Sequence, residues 1–94
     1  ATQAVAEQLD AENEIIRSRA ARSLGLLGDP RAVEPLTDVL ANDEDGSVRG
    51  SAAWALFQIG TQDALDALVA YVDDRNYLVQ TEARKADDAL AAVA

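Results

Sequence analysis

Ile16-Arg17-Ser18-Arg19-Ala20-Ala21-Arg22-Ser23-Leu24-Gly25-Leu26-Leu27-Gly28 lies over Val48-Arg49-Gly50-Ser51-Ala52-Ala53-Trp54-Ala55-Leu56-Phe57-Gln58-Ile59-Gly60 at an offset of 32 residues. At the same offset Ala32-Val33 meets Ala64-Leu65, and Leu36 and Leu40 meet Leu68 and Val72. A weaker copy begins at Val79, 31 residues after Val48. One unit of this length cannot bury its own apolar side, so the copies must stack and cover each other. The expected fold is all-α, an α-α superhelix of about six antiparallel helices. Residues 1–94 form one domain: a partial leading helix (1–12), repeats at 13–43 and 44–74, and a degenerate capping repeat at 75–94.

Residues 45–60 organise the rest. Val48, Ala52, Ala55, Leu56 and Ile59 recur at helical spacing, and Gly50, Ala53, Trp54 and Phe57 make a second stripe opposite. A helix apolar nearly all round needs neighbours on several sides. The flanking helices supply them. Ala1 to Leu9 carries Ala1, Val5 and Leu9 on one side; Glu14 to Leu27 carries Ile16, Ala20, Ser23, Leu24 and Leu27, and Gly28 stops it. Asp29 caps the next helix and Pro30 fits its first position, whereas Pro35 forces either a bend or a later start. Thr61 caps a helix bearing Ala64, Leu65, Leu68, Val69 and Val72. The last helix carries Val79, Ala83, Ala86, Leu90 and Val93.

With 20 alanines and four aromatics, the core depends on close helix approach rather than bulk. No cysteine or histidine is present, which removes disulfides, thiolate chemistry and most zinc sites. No apolar run nears the roughly 20 residues of a membrane span, and a secretory start is lacking, so a cytoplasmic chain without membrane contact is expected. The net charge of −9 argues against nucleic acid. Lys85 is the single lysine beside seven arginines and eleven aspartates, a balance expected of a salt-adapted protein from a halophilic microbe.

Val48-Arg49 followed by Ala52-Ala53 and Leu56, then Ile59-Gly60, together with Asp29-Pro30-Arg31-Ala32-Val33-Glu34-Pro35-Leu36, resembles the short HEAT-like repeats of phycobilisome (PBS) lyase-like proteins. The likeness covers the whole chain if the weak end copies are counted. It departs at Asp87 and Asp88, which stand where Leu56 and Phe57 do, and at Gln80, which replaces Arg17 and Arg49. The resemblance implies a structural ladder of arginines with acidic partners. Arg17, Arg49, Asp29 and Asp45 are its expected members, with Glu12, Glu14 and Asp43 also within reach; anion binding is the other use for the arginines. HEAT-like iron-dependent hydroxylases use paired histidine and glutamate ligands, which this chain cannot supply. Lyase-type relatives handle bilin pigments, which makes a tetrapyrrole lyase-like or enzyme-accessory role the alternative function.

Catalysis has little to work with, because Ser18, Ser23, Ser47 and Ser51 lack a histidine for activation. No cofactor or metal is expected, since Asp43-Glu44-Asp45-Gly46 is too short for a calcium loop. The leading expectation is a non-catalytic binding module whose inner layer presents the 32–41 and 62–72 helices to a protein partner, with self-association through the open repeat ends. Inner-layer polar residues such as Arg31, Glu34, Thr37 and Asp38 suggest no site of their own. Trp54 and Phe57 stand where the previous copy has Arg22 and Gly25, so they either fill the space Gly25 leaves or form a docking patch. Tyr71 and Tyr77, flanking the Asp73-Asp74 turn, pose the same question.

Overall fold

The computed structural model describes residues 1–93; Ala94, the last residue of the expected domain, lies outside them. Six α-helices follow in order: α1 (Thr2–Glu7), α2 (Glu14–Leu27), α3 (Val33–Asn42), α4 (Gly46–Ile59), α5 (Gln62–Val69) and α6 (Tyr77–Ala92). Short 3₁₀ turns occupy Gln8–Asp10 and Pro30–Ala32, and no strand occurs among the described residues. Helix α4 packs between α2 and α6 to form one layer, and α1, α3 and α5 form the other, the inner layer.

Local chemistry sets these boundaries. The side chains of Asn13, Asp45 and Asn76 each accept backbone N–H bonds from the first turn of α2, α4 and α6. Gly28 and Gly60 end α2 and α4 at φ 67°, a left-handed conformation that glycine adopts without steric cost. The Pro35 question resolves as a later start. Pro30 opens the 3₁₀ turn, the α-helix begins at Val33, and Pro35 falls in its first turn, where an N–H has no intrahelical partner to lose.

Leu24, Leu36, Leu40, Val48, Leu56, Leu68 and Val79 are fully buried. On α4, Val48, Gly50, Ser51, Ala52, Ala53, Ala55 and Leu56 are all buried, which accounts for its two apolar stripes. Small residues bring α2 and α4 together: a Cβ on Gly25 would lie 2.8 Å from the Ala55 Cα, and the Ser18 and Ser51 hydroxyls hydrogen-bond at 2.6 Å.

The apolar side of α2 is rotated from its expected position. Ala20, Ala21, Leu24 and Gly25 are buried, whereas Ile16 is 44% and Leu27 48% exposed, and Ser23 is also exposed. Their counterparts on α4, Val48 and Ile59, are buried and half-buried. The reason is position in the stack: α2 lies beside α4 on one side, and its other main neighbours are the short α1 and the 8–10 turn. On α6 the stripe likewise ends early, with Val79, Ala83 and Ala86 buried and Val93 81% exposed.

Candidate functional site

The arginines at matching positions of α2 and α4 reach forward to the next turn. Arg17 donates from Nε to Asp43 at 2.9 Å and from a terminal nitrogen to the same carboxylate at 3.2 Å, and also to the Ala11 and Glu12 carbonyls. Arg49 grips Asp74 end-on through its two terminal nitrogens, one bond of 3.1 Å, and donates from Nε to the Leu40 carbonyl. Both pairs are largely covered, the four side chains being 8–19% exposed. Such bidentate, charge-assisted pairs fix orientation as well as distance, so each holds the first helix of a repeat to the turn that closes it, from which the next repeat starts.

The expected partners Asp29 and Asp45 do other work. Asp29 binds Arg31 and accepts from the Thr2 hydroxyl at 2.7 Å, which ties α1 to the turn before α3. Its carboxyl is held far below the usual aspartate range, chiefly by the Arg31 side chain. Asp45 caps α4 through Ser47 and Val48, and its own N–H donates to Asp43. The ladder carboxylate therefore sits two residues before the cap. Asp74 stands in the same relation to Asn76, whose N–H it accepts at 2.8 Å. The Asp-x-Asp and Asp-x-Asn spacing at 43–45 and 74–76 is the sequence signal that marks Asp74 as a ladder member.

Trp54 and Phe57 are half-buried against the core rather than presented. A Cβ at Gly25 would meet the Trp54 ring at 2.8 Å, so the indole occupies the space this glycine leaves. Arg22 lies 5.0 Å from the Trp54 ring centre and Lys85 4.6 Å from that of Phe57, covering each ring with a cation. Tyr71 packs on the core, and Tyr77 is 76% exposed.

An open concavity lies in the inner layer. A groove of about 420 Å³ runs between α1 with its 3₁₀ turn and α3, floored by Leu9, Pro35 and Val39 and edged by Asp10, Asp38 and Asn42. Sequence reasoning passed over it because neither its floor nor its edge is contiguous in the chain. Among the described residues no group of three carboxylates is placed to hold a metal ion.

The HEAT-repeat family model matches residues 2–86. The chain belongs to the HEAT-repeat family. A solved structure, human deoxyhypusine hydroxylase in complex with glycerol, superposes with a TM-score of 0.84 at 33% identity over 93% of this chain. This HEAT-repeat chain spans only 31% of that one. None of the curated proteins matches it in sequence.

The HEAT-repeat ladder has a pH signature. The Arg49 side chain, with help from the Asn76 N–H, holds the Asp74 carboxyl below its ordinary value of 3.8. The folded state thus favours the ionised form, and its contribution is full above 3.8 and lost as pH falls through the depressed native value. Asp74→Asn is expected to cost about 1 kcal/mol at neutral pH, and the gap from wild type narrows below pH 3.8. Urea midpoints of the two proteins at several pH values check this; a gap independent of pH contradicts it.

Proposed function

We propose that this HEAT-repeat chain is a non-catalytic protein-interaction module, a scaffold unit that holds a partner against the layer of α1, α3 and α5. The observation that carries the proposal is the groove of about 420 Å³ in that layer. Repeat stacks offer long continuous surfaces of this kind to other proteins. The ladder supports the reading by fixing, in each unit, the helix of one layer to the turn that leads into the next unit. Chain chemistry favours binding over catalysis, since histidine and cysteine are absent and the Ser18 and Ser51 hydroxyls are engaged with each other. Selection from an unbiased displayed peptide library tests it. Segments that bind, and lose binding to Asn42→Trp, which fills the groove from its exposed wall, support the proposal. No selected segment, or segments indifferent to that substitution, ends it.

The lyase-like alternative has less support, because Asp10 and Asp38 at the groove edge repel the propionates of a bilin. Trp54 fluorescence quenched by added bilin would restore it.

Salt adaptation belongs to the same proposal. With a charge of −9 and one lysine, screening by salt relieves self-repulsion. The melting temperature is expected to rise by about 5 °C between physiological and molar salt. A flat profile counts against it.

A further inference from the structure

We infer that the groove between α1 with its 3₁₀ turn and α3 receives a cationic, amphipathic segment of the partner protein. The inference rests on the interaction-module reading and names the chemistry of its ligand. Sorting the charges by layer carries it. Glu7, Asp10, Glu34, Asp38, Asp63 and Asp66, all exposed, lie on α1, its 3₁₀ turn, α3 and α5, and these elements hold no lysine or arginine. Six of the eight basic residues stand on α2, α4 and α6, and the other two occupy the 3₁₀ turn at 30–32 and the turn at Arg75. Of these two, Arg31 is already bound to Asp29. One layer of the molecule is therefore uniformly negative, and a field of one sign over a groove concentrates ligands of the other.

The groove adds shape to this field. Its floor is apolar: Leu9 is 5% exposed, and Val39 and Pro35 lie beside it. Asp43 also lines it, but its oxygens are held by Arg17 and the Asp45 N–H, which leaves Asp10 and Asp38 as the free carboxylates. An apolar floor under a carboxylate edge matches a lysine or arginine, whose methylene stem covers apolar surface while its head stays with the charges. Leucine-type neighbours in the same segment would occupy the rest of the floor.

The test is fluorescence anisotropy with a labelled lysine–leucine peptide at near-physiological salt, beside a glutamate–leucine peptide of the same length. Two variants carry equal net charge: Asp10→Asn/Asp38→Asn in the groove, and Asp87→Asn/Asp88→Asn on the exposed side of α6. All four carboxylates are exposed, so both variants fold. The lysine–leucine peptide is expected to bind wild type and to bind the groove variant about fivefold more weakly, from the loss of two exposed charge pairs. The α6 variant stays within about twofold. Equal weakening by both variants reduces the effect to overall charge and overturns the inference, as does equal binding of the glutamate–leucine peptide. Library selection of neutral or acidic segments on the same layer overturns the charge assignment and leaves the module reading standing; selection of no segment removes both.

Discussion

Leu56→Ala lowers the stability of the chain by about 2–5 kcal/mol, read as a fall in the urea midpoint with an unchanged slope. Leu56 is 0% exposed on the central helix of a three-helix row. Removing its branched end forfeits the transfer energy of three carbons and leaves a cavity that cannot easily close. The walls are constrained because α2 and α4 already touch through Gly25 and Ala55. A domain of this size is stable by only about 5–15 kcal/mol, so the loss is a large share. Gln58→Ala, on the exposed side of the same helix, is the control and is close to neutral. Equal effects of the two would mean that α4 is not enclosed.

Gly25→Val is expected to cost about 3 kcal/mol, the upper part of the range for overpacking. The added Cβ alone would sit 2.8 Å from the Ala55 Cα, a backbone atom, and 2.8 Å from the Trp54 ring. The backbone atom cannot yield without moving α4 as a whole, the indole yields only by leaving its half-buried seat, and β-branching adds two more carbons to the clash. Gly50→Ala offers the contrast. Its Cβ would meet the Leu78 Cδ1 at 3.0 Å, which can turn outward, and the Leu78 Cβ at 2.9 Å, which yields only if the start of α6, the end helix of the row, gives slightly. The gain in helix propensity, up to about 1 kcal/mol, offsets the crowding, so the variant stays within about 1 kcal/mol of wild type. Thermal unfolding of the pair checks the difference. Similar midpoints for both would contradict the close approach of α2 and α4.

What the chain disclosed before its fold was known follows from how local each cause is. Gly28 and Gly60 as stops, Thr61 as a cap and the span Glu14–Leu27 depend on neighbours within one turn, and they read directly. The enclosure of α4 was legible too, because a helix apolar on both sides has no other place to go. The ladder was half legible. Repetition at Arg17 and Arg49 marks a repeated role, but the reach of each side chain, 26 and 25 residues ahead, depends on how each two-helix unit folds back on itself. Several acidic residues lie near each turn, and the spacing that sets Asp43 and Asp74 two residues before a cap acquires its meaning only from the geometry. Trp54 and Phe57 were ambiguous for a similar reason. A large apolar group at a given spacing looks alike whether it docks a partner or fills a gap, and its cover here comes from Arg22 and Lys85 on the two flanking helices. The acidic layer was hidden because residues such as Glu34 and Asp38 are ordinary one at a time; the pattern emerges once α1, α3 and α5 are grouped as one surface.

That surface is the centre of the functional account, and amide chemical-shift mapping tests it most directly. Titrating a segment selected from the displayed library into labelled protein is expected to move the amides of Glu7, Asp10, Asp38 and Asn42, with smaller shifts along α5. Shifts confined to the opposite layer, at residues such as Arg22, Gln58 and Arg84, would place recognition on α2, α4 and α6 and contradict the account.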